Sequence, residues 1–496
     1  MRTLIVHGTV VNADGSRLAD VLVDGDKIAA VEPGLAERFA GPPSGSPDAP
    51  AGATPAAVDR VVDASGKLVI PGGIDPHVHM ELPVGDVVSK DTFETGTRAA
   101  AFGSTTTIID FATQSRGRSL REGLDAWHAK ADGRCCVDYA FHMAVCDVND
   151  SSLAEMDPLV DEGVSSFKLF TAYPGRMYSD DGAILRAMFR AAGNGATILM
   201  HAENGLAVDV LAERLAAAGM TAPRYHAEAH PPALEGEATH RVIELAAIAG
   251  TPVYVVHVSS ADAAEEIAVA RARGAMVFGE TCPQYLFLSV AALGAGDGDG
   301  EGDGDHAAAS GDPFEGAKFV CSPPLREPRH AEALWKALEV GGLQAVGTDH
   351  CPFDYRGQKE LGRGDFRLIP NGLPGVEERV DLLHDGGVIA GRISRERWVE
   401  LISAGPARRF GLWGRKGAVV PGFDADLVVY DPALRHTLSA ATHHMNVDYS
   451  CYEGREVQGG SRTVMSRGEV VVEDGRWKGR PGHGRFLPRS PQGARS

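Results

Sequence analysis

The sequence predicts an α/β protein in which a (β/α)8 TIM-like barrel lies beside a smaller β-sandwich domain built from both chain ends. Apolar runs alternate with helical segments through the middle of the chain, eight such runs can be counted, and both ends alternate apolar with polar residues. Although 496 residues could form three domains, barrels routinely exceed about 250 residues as one unit. We therefore expect sandwich segments over 1–67 and 415–496, and a barrel over 68–414.

Apolar and polar residues alternate at the two chain ends, as in the strands of a small antiparallel sheet. TLIVHGTVV and ADVLVDGDKIAAV stand near the start, with a tight turn predicted at Asp24-Gly25. GFDADLVVYDP (422–432) and TVMSRGEVVVEDG (463–475) stand near the far end, with a turn predicted at Arg467-Gly468. Since neither segment is long enough to bury a face alone, we expect them to pair into one sandwich, followed by a C-terminal tail.

Eight apolar runs between these ends are the predicted barrel strands. Helical stretches separate them, including AILRAMFRAA, which Ser179-Asp180 is expected to cap, and alanine-rich segments near 206–218 and 234–249. Eight alternations of this kind favour a closed barrel. The predicted strands are 68–79, 104–111, 137–145, 164–170, 196–201, 251–258, 275–281 and 343–350.

Two segments are typical of insertions. Residues 41–57 are rich in proline and have no periodicity, so they are expected to form a flexible surface loop. Residues 296–305 alternate glycine with acidic residues, which allows either a calcium loop or a solvated loop. The run lacks the ligand order and terminal glutamate of an EF-hand, which favours the solvated loop.

Composition excludes several classes of partner and location. With 48 basic and 67 acidic residues the formal charge is −19, which disfavours nucleic acid and anionic membrane surfaces. No apolar run approaches the roughly 18 residues of a membrane helix, and MRTLIVHGTVVNADG does not have the pattern of a signal peptide. The seven cysteines are scattered and form no C-x-x-C pair. We expect a cytoplasmic protein.

Polar residues interrupt the predicted strands at their ends. His77 and His79 are two residues apart, so both imidazoles fall on one face of the first strand. His201, His257 and Asp349 close the fifth, sixth and eighth strands. Active sites of such barrels lie at the carboxyl ends of the strands, and imidazole with carboxylate suits zinc and similar metals. A His-x-His sequence alone is typically a buried, hydrogen-bonded pair, and a lone aspartate at a strand end is typically a helix cap. Polar residues at the ends of several strands together favour a metal site.

Lys168 lies inside the apolar fourth strand, where a free ammonium loses its hydration. Either an ion pair neutralises it, or the deprotonated amine reacts with carbon dioxide to form an anionic carbamate. Four histidines, one aspartate and a carboxylated lysine would hold two metal ions about 3.5 to 4 Å apart.

These residues lie in blocks that resemble a known family. GGIDPHVHMELP, GSTTTIIDF, FKLFTAY, LMHAEN, VVHVSS, GETCPQYL, CSPPLRE, GTDHCPF and IPNGLPGVEER together are similar to the cyclic amidohydrolases, most closely the dihydropyrimidinase and D-hydantoinase branch. The resemblance runs from the opening hairpin to about residue 475. It implies a distorted TIM barrel beside a β-sandwich, two divalent metal ions, usually zinc, a carboxylated lysine and a homotetramer or homodimer.

The resemblance also implies roles for individual residues. His77, His79 and Asp349 would bind the more buried metal, His201 and His257 the other, with carboxylated Lys168 bridging both. Tyr173 would hydrogen-bond the developing oxyanion, and Asp349 would move the proton to the leaving nitrogen. Main-chain groups of Ser322 and Asn371 would hold the substrate; from the residues alone, both are better explained as turn positions. The implied reaction opens a cyclic amide to an N-carbamoyl amino acid.

Substrate choice within the fold is less constrained by the sequence. Dihydroorotases pair an arginine, just after the first histidine pair, with the substrate carboxylate, whereas Glu81 stands in that stretch here. An allantoinase-like ureide hydrolase remains an alternative, and so does a non-enzymatic scaffold like the collapsin response mediator proteins, although all six ligand positions are filled. Manganese or cobalt could replace zinc. The residues that align with the hydantoinase pocket for bulky 5-substituents are Leu82, Val84, Phe170 and Met177.

Overall fold

Eight parallel strands form a barrel, and nine strands from both chain ends form a second sheet. The structure, a computed structural model, describes residues 1–40, 58–294 and 312–491, so the predicted loops at 41–57 and 296–305 lie outside the described residues. The strands are β1 (Arg2–Asn12), β2 (Gly15–Asp24), β3 (Lys27–Glu32), β4 (Arg60–Asp63), β5 (Leu68–Pro71), β6 (Gly73–Val78), β7 (Pro83–Val84), β8 (Val87–Val88), β9 (Thr105–Thr113), β10 (Asp138–Ala144), β11 (Ser166–Phe170), β12 (Thr197–His201), β13 (Val253–Val255), β14 (Val277–Thr281), β15 (Ala345–Val346), β16 (Leu427–Thr437), β17 (Glu456–Ser466), β18 (Glu469–Glu473) and β19 (Arg476–Trp477).

The barrel strands follow one another in the order β6-β9-β10-β11-β12-β13-β14-β15. A parallel bridge between Val78 and His350 joins the last strand region to the first, and the His79 amide donates to the His350 carbonyl at 2.8 Å. All eight predicted strand positions therefore contain a barrel strand, and the predicted closed barrel is confirmed.

The first predicted strand, 68–79, is two strands in the structure. Leu68–Pro71 pairs with β1 and β16 in the second sheet, whereas Gly73–Val78 pairs with β9 in the barrel. The chain changes sheets at Gly72, where a Cβ would collide with the Thr106 side chain. Both halves are fully buried, so hydrophobicity alone gave no sign of the break.

The second sheet joins the two chain ends as predicted. Its strand order is β19-β18-β17-β16-β5-β1-β2-β3, with β4 added to β1. Gly25 has φ +64° in the β2–β3 turn, and Arg467 and Gly468 have φ +46° and +75° between β17 and β18. These left-handed conformations match tight hairpin turns.

Helices cover the barrel, and one of them begins at the predicted cap, where Asp180 accepts from the Ala183 amide at 2.7 Å. Short 3-10 and π segments lie between residues 290 and 404. Within the described residues, none of the helices has the length and apolar character needed to cross a membrane. The α-helices are α1 (Leu35–Ala40), α2 (Phe93–Phe102), α3 (Leu120–Ala131), α4 (Asp150–Asp161), α5 (Asp181–Asn194), α6 (Gly205–Ala217), α7 (Tyr225–Ala229), α8 (Pro232–Ala249), α9 (Ala261–Ala272), α10 (Pro283–Phe287), α11 (Pro328–Glu339), α12 (Arg379–Leu383), α13 (Arg395–Val399) and α14 (Gly405–Arg409).

A buried ion cluster connects the barrel to the second sheet. The Lys416 ammonium lies 2.7 Å from Asp138 at the start of β10 and 3.2 Å from Asp424, and it also pairs with Asp426. Arg467 forms a second ion pair with Asp138. Three clustered carboxylates could hold a metal ion, but here the Lys416 ammonium lies among them, and with Arg467 at Asp138 and Lys27 at Asp424 it balances their charge.

The C-terminal tail packs under the opposite end of the barrel from the predicted site. The Tyr139 amide donates to the Arg485 carbonyl at 3.0 Å, the Leu487 amide to the Tyr139 carbonyl at 2.7 Å, and the Arg489 amide to the Gly163 carbonyl at 3.0 Å. Tyr139 lies near the start of β10 and Gly163 precedes β11. The tail therefore covers the amino-terminal end of the barrel.

We predict that Lys416→Met lowers the free energy of unfolding by about 3 to 5 kcal/mol, because it leaves the buried Asp426 carboxylate without its ion-pair partner. Lys336→Met is the control: it removes an exposed ion pair with Glu339, so the expected loss is about 1 kcal/mol or less. Chemical denaturation measures both. Equal losses in the two variants would show that the buried cluster contributes no more than a surface pair.

Candidate metal centre

A cavity of about 880 Å³ opens at the carboxyl ends of the barrel strands. All the predicted site residues line it except His77, which lies beneath its floor and is fully buried. The lining members of the predicted set are His79, Leu82, Val84, Lys168, Phe170, Tyr173, Met177, His201, His257, Ser322, Asp349 and Asn371.

His77, His79 and Asp349 form the tightest group of potential metal ligands. The Oδ1 atom of Asp349 lies 3.2 Å from Nε2 of His77 and 3.1 Å from Nε2 of His79. The period of two along β6 brings both imidazoles to one face, and Asp349 reaches them from beyond β15. The hydrogen bond from His79 and the charges of nearby groups outweigh burial and keep the pKa of Asp349 below its usual value.

Lys168 joins this group from β11. Its Nζ lies 3.0 Å from Nε2 of His77 and 4.2 Å from the centre of the Phe111 ring. Burial lowers the pKa of the Lys168 amine to about 8. A larger fraction of Lys168 is therefore the neutral amine near pH 7 than for a solvated lysine.

His201 and His257 form the second group. Their ring centres are 4.5 Å apart, and the His257 ring lies 5.4 Å from that of His77, so the two groups are adjacent. Nδ1 of His79 and Nδ1 of His257 are buried with no hydrogen-bond partner among the described residues. Four imidazoles, a carboxylate and a buried lysine around one cavity are a donor set that fits divalent metal ions.

Two glutamates that orient these histidines were missed by sequence reasoning. Oε1 of Glu280 lies 2.6 Å from Nδ1 of His77, which leaves Nε2 facing the group. Oε2 of Glu203 lies 2.8 Å from Nε2 of His201. Both glutamates stand inside the quoted GETCPQYL and LMHAEN blocks, at or just beyond strand ends. That position was the available signal.

Three site residues have left-handed backbone conformations. Tyr173, His257 and Asp349 have φ of +62°, +40° and +52°. Such conformations are costly for residues other than glycine and persist where the surrounding structure imposes them. They turn each side chain toward the cavity immediately after its strand.

Tyr173, Ser322 and Asn371 form one hydrogen-bonded group on the cavity wall. The Asn371 amide donates to Ser322 Oγ at 3.0 Å, and the Tyr173 hydroxyl also bonds Ser322. Burial raises the pKa of Tyr173, which keeps its hydroxyl protonated as a donor. Sequence reasoning missed His226, whose Nε2 lies 2.8 Å from the Cys321 carbonyl and 3.4 Å from Ser322 Oγ.

The four predicted pocket residues lie on the same cavity. Leu82 and Val84 belong to the β7–β8 hairpin, which Ser89 holds by accepting from the Leu82 amide at 2.9 Å. Phe170 ends β11, and the Met177 amide donates to the Tyr173 carbonyl at 3.1 Å. The cavity therefore has an apolar wall beside the metal-ligand set.

Comparisons with known proteins agree with this arrangement. The model of the amidohydrolase family matches residues 68–471. The chain is 56% identical over 489 residues to a D-hydantoinase of Streptomyces coelicolor, covering 99% of this chain and 98% of that protein. It is 45% identical to a D-hydantoinase of Geobacillus stearothermophilus, covering 100% and 98%. The crystal structure of a dihydropyrimidinase from Brevibacillus agri has a TM-score of 0.89 at 45% identity, covering 99% of each chain.

We predict that adding zinc to metal-free protein raises its Tm by several degrees, because an ion that binds only the folded state stabilises it. His257→Asn is expected to reduce this gain. His240→Asn is the control, since His240 bonds Glu266 on the surface at 2.8 Å, away from the cavity. Differential scanning calorimetry measures the shift, and an unchanged wild-type Tm would count against the site.

Proposed function

The chain belongs to the amidohydrolase family, and we propose that it opens the cyclic amide bond of 5,6-dihydropyrimidines and 5-substituted hydantoins to give N-carbamoyl amino acids. The observation that carries the proposal is a set of six potential metal ligands, five of which line a cavity with an apolar wall while His77 is buried directly behind Asp349. Relatives that match this chain over its whole length bear the names D-hydantoinase and dihydropyrimidinase. The chain is thus a hydrolase of cyclic amides.

Two divalent metal ions would be held by the two groups of ligands. We assign His77, His79 and Asp349 to one ion and His201 and His257 to the other. Lys168, as a carbamate formed with carbon dioxide, would bridge them; its lowered pKa supports this, because only the neutral amine reacts with carbon dioxide. We propose zinc as the metal, with manganese or cobalt also compatible with these donors.

The bound metal ions would lower the pKa of water toward neutrality and so supply hydroxide for hydrolysis. The chain's own residues account for the remaining chemistry. Asp349 faces the cavity beside both ligand groups, where its carboxylate can accept a proton and return it to the leaving ring nitrogen. The Tyr173 hydroxyl, on the cavity lining, would donate a hydrogen bond to the substrate carbonyl oxygen as negative charge develops.

Two groups of residues in the cavity lining would orient the substrate. Main-chain groups at Ser322 and Asn371 would hold the amide edge of the ring, while their side chains bond each other. The exocyclic group at C5 of the ring would be surrounded by Leu82, Val84, Phe170 and Met177. An apolar wall suits an alkyl or aryl substituent better than the polar ureido group of allantoin, which disfavours the allantoinase alternative.

We further propose a homo-oligomer, a tetramer or dimer, in the cytoplasm. Exposed apolar side chains on α5, α6 and α8 offer surfaces that a second copy could cover. The seven cysteines are buried free thiols, which is compatible with a reducing compartment. The apolar side chains in question are Phe189, Leu206, Val210 and Ile248.

We predict ring opening of 5,6-dihydrouracil, hydantoin and 5-aryl hydantoins by the zinc-loaded protein, and a loss of at least about 1000-fold in kcat for Lys168→Met, as expected when a metal-bridging group is removed. Lys359→Met is the matched control: Lys359 is also fully buried, with its pKa also lowered to about 8 by burial, but it lies off the cavity lining. Kinetics would include allantoin and dihydroorotate. Turnover of allantoin alone would overturn the proposed substrate class. Metal binding without turnover of any of these rings would leave the reaction class standing and show that the proposed substrates are wrong. Absence of both metal binding and turnover would favour the scaffold alternative.

We predict that Phe170→Ala lowers the ratio of kcat/KM for a 5-aryl hydantoin over hydantoin by about 10-fold, because lost apolar contact affects only the substituted ring. Leu18→Ala, an exposed residue on β2 of the second sheet that does not line the cavity, is the control and is expected to keep the ratio. Steady-state kinetics with both substrates decide the point. An unchanged ratio for Phe170→Ala would place the substituent elsewhere.

A further inference from the structure

Glu203 is buried beside the cavity and bonds two histidines at once. Its Oε2 lies 2.8 Å from Nε2 of His201, and its Oε1 lies 2.9 Å from Nδ1 of His230. His201 belongs to the set proposed to bind metal, whereas His230 does not. Because each carboxylate oxygen has its own imidazole, the two bonds together fix the position and rotation of the Glu203 carboxylate.

His230 is itself anchored to a rigid part of the barrel. Its carbonyl accepts from the Arg326 guanidinium, which also bonds Ser259 Oγ at 3.0 Å and pairs with Glu235 at 3.1 Å. All three of these groups are buried. The ring of His230 therefore has a fixed base from which to hold Glu203.

The other face of His230 packs on the substrate side of the cavity. Its ring centre lies 4.4 Å from that of His226, whose Nε2 bonds the Cys321 carbonyl at 2.8 Å. Ser322 follows directly. His230 thus lies between the His201 ligand and the loop that carries Ser322.

The main chain around Glu203 is also fixed, so the side chain is the adjustable part. The Thr171 hydroxyl donates to the Glu203 carbonyl at 2.8 Å and to the His201 carbonyl at 3.1 Å. With Nε2 of His201 engaged by Glu203, the ring can offer only Nδ1 to the cavity. Loss of the carboxylate's second anchor would free the His201 ring to rotate.

We propose that His230 is a positioning residue, which acts through Glu203 to set the ring orientation of His201 and so retains the metal ion that His201 shares with His257. This inference rests on the proposed two-metal function. His77 has separate support, since its partner Glu280 accepts from the Tyr254 hydroxyl at 3.0 Å and not from a second histidine. The effect of His230 is therefore confined to one of the two ions.

The test compares His230→Leu, which removes the donor, with His230→Asn, whose amide nitrogen can replace Nδ1. Zinc per chain is measured by elemental analysis after treatment with increasing concentrations of a chelator. Extended X-ray absorption fine structure at the zinc edge reports the ligands of the ions that remain. We expect His230→Leu to bind one ion about 10- to 100-fold more weakly and the other with wild-type affinity, as for other residues that support metal ligands. His230→Asn is expected to restore most of the affinity.

Glu203→Gln provides a second variant of nearly identical shape, and it is expected to weaken the same single ion. His240→Leu removes a surface histidine from an equivalent bond to Glu266, and is expected to behave as wild type.

The outcomes separate this inference from the proposed function. Wild-type protein that holds fewer than two ions would overturn both. Wild-type protein with two ions and His230→Leu with two ions of unchanged affinity would overturn the role of His230 alone. Equal weakening of both ions, accompanied by a lower Tm, would also overturn it, because it would show a general effect on folding.

Discussion

The barrel buries polar side chains at the carboxyl ends of its strands, and each of them needs a partner. The rest of the site depends on this constraint. A lysine amine and four imidazoles are largely buried there, and each must have a partner of suitable charge or lone pairs. Lys168 lies 3.0 Å from Nε2 of His77, with Asp349 close to both. The donor set fits divalent metal ions, and bound ions together with the proposed carbamate would satisfy these groups.

In each proposed ligand group, one histidine contacts a buried glutamate through its second ring nitrogen. Glu280 orients His77, and Glu203 orients His201. Strained backbone at Tyr173, His257 and Asp349 turns side chains inward immediately after their strands. Rigid strands, orienting carboxylates and imposed turns together give the preorganisation that metal-assisted hydrolysis needs, since the groups stand in place before charge develops.

The second sheet contributes by holding the barrel from outside. The Lys416 cluster ties Asp138, at the start of a barrel strand, to the carboxylates that precede β16. The tail at 483–491 covers the amino-terminal end of the barrel. These contacts lie at the end of the barrel opposite the cavity, whereas the loops at the carboxyl ends line the site.

The sequence by itself determined the fold class, the eight barrel strands, the histidine and aspartate positions at their ends and the lysine inside the fourth of them, because period, strand length and polar interruption are local properties. The break at Gly72, the support of His201 by Glu203 and His230, and the bond from His226 to the loop before Ser322 were decided only by the tertiary structure. Those contacts join residues far apart in the chain or in different sheets. No local sequence pattern shows which buried carboxylate bonds which imidazole, because these residues become neighbours only when the barrel closes.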